Sequence, residues 1–527
     1  MEPTKEQTAI VESNEKSIIV MSVAGSGKTT TIVMCVKKDL EEGVDKTKIL
    51  LTTFSKKMAR ELQDKIPELE WVGTIHSVCK KIVDNYGYLV GYDETTLVEE
   101  EKYLIKKAKE ASHIKGTIKS LKEKLMKYFE TEEVDGSYGF DVFLKLYLQY
   151  MKDHQVMTFD LVEYYATRIL EIGVPLHFER VYIDEFQDTS GLEMRLIKAL
   201  SYDTIKVVGD VMQNLYEFRG TTIDNIMKFP GKRFPLSISF RCREPVVQMA
   251  NRLISLNEFN YELKMEAVKN GVPIKIEEEI DNLSSIIQSY LREGFRPEEI
   301  MILCATNKQT AKITEMLESF ITIRNPNYYL RGKAYELASA FVGMARNFYR
   351  NYMTTRFAIE AKYLDQKEIN YLERQMSTGD MIRDMLGKGF EKYVRLASRD
   401  ILLSQKIEIL FEMEGYDNCF GFMEEESEKA KQIVIMLQKL EQEDKEGYLL
   451  FEEKDVPEVS NSAIQVMTMH GSKGKEAPVV ILPWWEDGNF PSLSKPMADL
   501  RLAYVAVTRA KEKLCIIKTG SCRYVEN

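Results

Sequence analysis

The sequence predicts an α/β protein built from two parallel-sheet domains, each interrupted by a mostly helical insertion. Three observations carry this. Short apolar segments of strand character are separated by helical stretches, the pattern of a parallel sheet covered by its crossovers. Two long blocks, residues 86–172 and 335–447, break the alternation: the first is charged, periodic and short of proline and glycine, the second rich in Met, Leu, Glu, Lys and Arg at helical spacing. Nearly every chemically suggestive motif begins where an apolar segment ends. Ligands of open parallel sheets sit at the carboxyl ends of the strands, so these motifs converge on a shared site.

The candidate strands, in order, are 17–22, 49–53, 181–183, 205–208, 301–305, 464–469, 479–482 and 515–518. Residues 1–85 with 173–235 are expected to form the first sheet domain, and 236–334 with 448–527 the second, with 86–172 and 335–447 as the insertions. A length of 527 residues exceeds a single core and fits this division. There is no internal repeat and no low-complexity tract.

Composition excludes several classes. No apolar run reaches the roughly eighteen residues that a membrane span needs, and the start, MEPTKEQTAI, lacks the apolar core of a signal peptide. A cytoplasmic protein is expected. The seven scattered cysteines, an odd number with no Cys-x-x-Cys pair, argue for reduced thiols and against a zinc or iron–sulfur site. The five histidines do not cluster, which argues against a His-based metal centre. The net charge of −10 counts against nucleic acid only weakly, because phosphate binding depends on local patches. Residues 102–127 are such a lysine-rich patch, although a solvated helical face would look the same.

Two motifs indicate nucleotide hydrolysis. In SVAGSGKT (Ser22, Val23, Ala24, Gly25, Ser26, Gly27, Lys28, Thr29), followed by Thr30, an apolar strand runs into a helix beginning near Lys28. Gly25 and Gly27 let the backbone turn its N–H groups toward phosphate oxygens, and the helix N-terminus adds positive potential. Lys28 supplies a point charge for the β- and γ-phosphates, and the Thr29 hydroxyl suits Mg²⁺. In IDEFQDTS (residues 183–190), Asp184 would hold Mg²⁺ and Glu185 would act as general base on the attacking water. ATP and Mg²⁺ are the expected cofactors.

With these motifs in place, the chain resembles a superfamily 1 helicase of the UvrD/Rep kind, along both α/β domains and in order. Gln7 in TKEQTAIV resembles the residue that reads adenine. LTTFSKKMARE (51–61) and VGTIHS (72–77) resemble strand-contact motifs, which implies that Thr53, Phe54 and His76 meet single-stranded DNA. VVGDVMQNLYEFRG (207–220) implies Gln213 as a γ-phosphate sensor and Tyr216, Phe218 and Arg219 facing DNA. SISFRC (237–242) implies Phe240 stacking on adenine and Arg241 reaching the γ-phosphate; VMTMHGSKGKEAPVVIL (466–482) implies His470, Ser472 and Lys473 near DNA and Glu476 near the ribose. LRLAYVAVTRAKEKL (500–514) supplies Arg509 as the second arginine finger. Gln187 becomes a link between the γ-phosphate and the DNA-facing loops.

The strand-contact motif departs from the family pattern at Ser55-Lys56-Lys57-Met58, and the fifth motif at His470 to Ala477. The second insertion is short for the family. The resemblance implies two RecA-like domains and an ATP-dependent motor on single-stranded DNA and single-/double-strand junctions, moving 3′ to 5′. The alternative is a helicase-like DNA-sensing ATPase subunit, similar to that of Gabija-type bacterial defence systems, working with a nuclease partner.

Overall fold

The computed structural model describes residues 2–317 and 463–525, less 94, 98–100, 218, 219, 259–262 and 493, together with shorter stretches between 323 and 438. Its strands, in chain order, open with β1 (Ser17–Ser22), β2 (Ile49–Thr53) and β3 (Trp71–Thr74). A two-residue pair, β4 (Thr96–Leu97) with β5 (Val156–Met157), lies within the first helical block. Then come β6 (His177–Ile183), β7 (Ser201–Gly209) and β8 (Lys232–Leu236).

Six of these make one sheet in the order β3-β2-β6-β7-β1-β8, parallel throughout. Ile18, Ile19 and Val20 of β1 are fully buried, as expected for a central strand covered on both faces. Register sets the site. Thr52 pairs with Ile183, so the chain leaves β2 at Phe54 beside the point where it leaves β6 at Asp184-Glu185. Met21 pairs with Gly209, so the glycine loop after β1 opens beside Asp210.

Helices Glu101–Ser112, Ile118–Thr131, Phe140–Asp153 and Phe159–Ile172 occupy the first block. Each of the last three buries an apolar stripe, such as Leu121, Leu125 and Phe129, or Phe143, Tyr147 and Met151. Arg195 ties the block to the sheet domain: its guanidinium donates to the Phe129 carbonyl, Glu132 and Glu171.

The second half holds β9 (Ile238–Arg243) paired with β10 (Glu266–Lys269), and β11 (Lys275–Glu277), β12 (Ile300–Cys304), β13 (Ile323–Arg324), β14 (Ile464–Thr468), β15 (Ala477–Trp485) and β16 (Ala510–Lys518). The last six form a second parallel sheet, ordered β11-β16-β15-β12-β14-β13. The fold is thus α/β with two parallel sheets, as expected. Of the second helical block, the helix Leu403–Met413 is described, with Ile407, Leu410 and Phe411 buried; most of 335–447 lies outside the described residues.

Several strands are longer than the apolar pattern suggested. β6, β7 and β16 begin among charged residues such as Glu179, Asp203 and Glu512, where ladder hydrogen bonds outweigh side-chain character. β8 (KRFPL) carries a proline and sits at the sheet edge, where proline is tolerated. Among the described residues, no helix is long and apolar enough to cross a membrane. The six described cysteines are buried and none is in a disulfide; Cys419 lies outside the described residues.

Helix Pro496–Val507 wedges between the sheets, with every residue from Leu500 to Val507 buried. Its Tyr504 hydroxyl accepts from the Ala24 amide of the glycine loop (3.1 Å) and donates to Asp210 Oδ2 (3.2 Å). Tyr504→Phe strands a buried N–H and deprives a buried carboxylate of a donor. It should cost about 1–3 kcal/mol of the urea-unfolding free energy; a loss below about 0.5 kcal/mol would show that water replaces the hydroxyl.

Candidate active site

β1 ends at Ser22, whose Oγ donates to the Gly209 carbonyl at 2.8 Å. Gly25 and Gly27 then adopt φ of +72° and +80°, the left-handed region. At Gly25 a side chain is doubly excluded, since an added Cβ would lie 2.5 Å from Arg241 Cβ. Gly27 precedes the helix Lys28–Glu41 without any side-chain cap, leaving the first-turn amides for a ligand. The Val23 and Ala24 amides are already committed, to the Leu236 carbonyl and to Tyr504, so the cradle lies beyond Ala24. Ser26 Oγ is buried there without a hydrogen-bond partner, a donor awaiting an oxyanion. Thr30 is exposed.

Gln7 is held by a capping box with Thr4 and donates from Nε2 to Thr31 Oγ1 at 3.2 Å. A Cβ at Gly27 would meet Gln7 Nε2 at 3.2 Å and the Phe240 ring at 4.0 Å. The two residues expected to meet adenine therefore flank the same glycine, although they are far apart in the chain.

Asp184, 2% exposed, accepts from Thr29 Oγ1 at 3.1 Å. Two hard oxygen ligands side by side fit Mg²⁺. Glu185 sits in the left-handed region (φ 54°, ψ 38°), which costs a non-glycine residue roughly 1–2 kcal/mol. Its carboxylate lies 3.6 Å from Lys28 Nζ and accepts from Gln187 Nε2 at 2.6 Å. Burial, followed by the neighbouring Glu185 charge, pushes the Asp184 carboxyl up. Burial also opposes ionisation of Glu185, but Lys28 and Lys473 prevail and hold it below the usual range. Gln187 joins the two loops: Nε2 also faces Asp188 at 3.2 Å, and Oε1 accepts the Asp210 amide at 2.9 Å.

Across the cleft, Arg509 is 1% exposed. It donates to the Val505 and Lys475 carbonyls (2.9 and 3.1 Å) and to Gln213 Oε1 (3.3 Å). Burial, then the charge of Arg241, draws it down to about 10, so it stays cationic at neutral pH. Gln213 donates to Asp210 Oδ2 at 2.7 Å. Arg241 and Lys511 both grip Glu476, each at 2.6 Å.

Among the residues expected on DNA, Phe54 and Tyr216 stack on each other, centroids 4.8 Å apart at 22°. Lys473 Nζ lies over both rings, 5.6 and 4.8 Å away, pairs with Asp188, and donates to the Gln213 carbonyl at 3.0 Å. Burial pushes Asp188 up to about 6 against the pull of Lys473. His470 is exposed. Thr53 is buried, and Ser472 is buried with its hydroxyl donating to the Met469 carbonyl, so neither side chain faces solvent here. His76 lies 3.1 Å from Glu163. Phe218 and Arg219 lie outside the described residues. A cavity of about 900 Å³ opens beside Phe54 and His76, lined also by Lys119, Lys122 and Lys127 of the lysine-rich patch.

Sequence reasoning did not single out Asp210, Tyr504 or Arg501. Asp210 had a signal, since it follows β7 as Asp184 follows β6. Arg501, 1% exposed, donates to the Asn214 carbonyl at 2.9 Å and pairs with Glu217; it is one more charged residue in a helix, and no local pattern marks it.

The raised Asp184 carboxyl implies that proton and cation compete for it. The gain in nucleotide affinity that Mg²⁺ provides should therefore shrink as pH falls from about 8 to about 5, and the trend should vanish in Asp184→Asn. Titration of a fluorescent ATP analogue with and without Mg²⁺ reads this; a pH-independent gain in the wild type would contradict it.

The family model of the UvrD/REP helicase N-terminal domain matches residues 3–233, and that of the UvrD-like helicase C-terminal domain matches 234–521. A Mycoplasma capricolum protein named "Probable DNA helicase II homolog" is 24% identical over 97% of this chain and 83% of its own length. The ATP-dependent DNA helicase PcrA of Bacillus subtilis is 25% identical (96% and 81%), and that of Staphylococcus aureus 23% (98% and 83%). The two matched domains run nearly end to end and place the nucleotide cradle and the acidic box in the first, the arginine-bearing segments in the second. The chain belongs to the UvrD/Rep family of ATP-dependent DNA helicases.

Proposed function

We propose that this chain hydrolyses ATP between its two sheets and uses the cycle to move 3′ to 5′ along single-stranded DNA, separating strands at junctions. One observation carries the coupling: Lys473 touches both ends of the machine. Its ammonium is paired with Asp188 of the acidic box and lies over the Phe54–Tyr216 stack. Residues 1–85 with 173–235 and 236–334 with 448–527 are assigned as the RecA-like motor domains, with 86–172 and 335–447 inserted into them.

Adenine is assigned to Gln7 and Phe240 beside Gly27, the ribose to Glu476, and the phosphates to the loop from Gly25 to Thr29. Mg²⁺ held by Thr29 and Asp184 would neutralise charge on the β- and γ-phosphates. Glu185, kept ionised by Lys28, takes the proton of the attacking water. Arg509 and Arg241 stabilise the charge that develops on the γ-phosphoryl group. Arg241 must leave Glu476 to do so, which makes closure of the cleft a condition for turnover. Gln213 and Gln187 report the γ-phosphate to the loops carrying Tyr216 and Phe54. His76, His470, Phe218 and Arg219 complete the proposed DNA path, to which the buried Thr53 and Ser472 contribute by shaping the backbone of their loops.

Phe54 and Tyr216 are too close to admit a base between them, so a base inserted there requires them to part. Base stacking on such rings contributes about 1–3 kcal/mol per base and tolerates any sequence, as a stepping motor needs.

Lys28→Ala and Glu185→Gln should each lower DNA-stimulated ATPase by a factor of about 10² or more; near-normal turnover in either would overturn the assignment. Phe54→Ala should weaken binding to oligothymidylate by about 1–3 kcal/mol in fluorescence anisotropy. A duplex with a 3′ single-stranded tail should be unwound and its 5′-tailed counterpart should not. DNA-stimulated ATPase without unwinding of either would point to the sensor-subunit reading and a missing partner.

A further inference from the structure

His76, Glu163 and Glu193 come from three different helices, Ile75–Tyr86, Phe159–Ile172 and Gly191–Ala199, spanning the sheet domain and the first helical block. One ligand atom of each lies within 4.8 Å of the other two. The geometry points to a divalent transition-metal site at this junction, with zinc the best match to one imidazole and two carboxylates.

The second observation is Glu163 itself. Its side chain is 3% exposed, and its Oε1, which faces His76 Nε2 at 3.1 Å, makes no hydrogen bond. A buried carboxylate oxygen that faces an imidazole nitrogen without hydrogen-bond geometry is costly unless a proton or a cation completes the pair.

Two of the three side chains are held in place by their own helices' surroundings. The Ser190 amide donates to Glu193 Oε2 at 2.7 Å, fixing that carboxylate, and the Phe159 ring packs edge-on against His76 with centroids 5.4 Å apart. An imidazole nitrogen with two carboxylate oxygens suits Zn²⁺, Mn²⁺ or Co²⁺ and is a poor set for Mg²⁺ or Ca²⁺, which take oxygen.

Three protein ligands leave a coordination position open, and all three residues line the 900 Å³ cavity. That cavity is lined by four lysines against six carboxylates, a poor lining for a phosphate chain until a cation offsets it. The dispersed histidines argued against a metal centre because the histidine pattern is blind to carboxylates brought in by folding. Metal binding at this site does not depend on the proposed DNA path.

The test uses the full-length chain, free of nucleotide, titrated with Co²⁺ and followed by its visible d–d absorption. About one equivalent should bind saturably and be displaced by Zn²⁺. Affinity should fall at least about tenfold in His76→Asn and in Glu193→Gln, both at partly accessible positions, and be retained in Asp184→Asn, which removes the nucleotide-site carboxylate. Far-ultraviolet circular dichroism confirms that the variants fold. No d–d absorption in the wild type would reduce the cluster to a His76–Glu163 ion pair and overturn the proposal. Equal binding in the His76 and Glu193 variants, or loss in Asp184→Asn, would place the metal elsewhere and overturn it too.

Discussion

Arg509 and Lys473 carry their charges into the space between the two sheets, and that burial organises the rest of the molecule. A cation withdrawn from water is tolerated only with acceptors arranged around it. Here they are the Val505 and Lys475 carbonyls on one side, and Gln213 and Asp188 on the other. Because these last two belong to the first sheet domain, satisfying the cations fixes the apposition of the domains. Tyr504 adds a neutral clasp between the wedge helix, the glycine loop and Asp210. Gly25 adds a steric one, since only a residue without Cβ lets β9 approach the loop.

The same network explains how two kinds of chemistry can share one cleft. Parallel strands in register deliver Phe54 beside Asp184-Glu185, and the glycine loop beside Asp210. The stacked Phe54–Tyr216 pair thus lies beside the strand end that carries the carboxylates, although Phe54 is far from them in the chain. Gln187 bridges Glu185, Asp188 and the Asp210 loop with one amide, so a displacement of Glu185 is felt at the loop that ends in Tyr216. Lys473 closes the circuit from the opposite domain. Backbone strain reaches the cleft at Glu185, whose left-handed conformation falls directly after β6.

Much of this was legible in the chain. The glycine loop, the acidic box and their strands are local patterns, where backbone geometry, charge and hydrophobic run length occupy a few consecutive residues. The α/β class followed from the same alternation. Legibility failed where the cause was not local. β8 has the composition of a loop and is a strand because an edge position tolerates its proline. Thr53 and Ser472 stood in motifs expected to meet DNA, yet packing buries the one and bonds the other to its own backbone.

The residues around the cleft divide in the same way. By itself the sequence determined which groups could cradle phosphate and hold a cation, because Gly25, Lys28, Thr29 and Asp184-Glu185 act through spacing along single segments. Only the tertiary structure decided what those groups face. It set Gln7 and Phe240 on either side of Gly27, laid Lys473 against Asp188, pinned Arg241 on Glu476, and drew His76 together with Glu163 and Glu193. The physical reason is that a short-range pattern specifies a conformation, while a partner across hundreds of residues is specified by what burial will tolerate. No window of sequence contains both halves of that constraint.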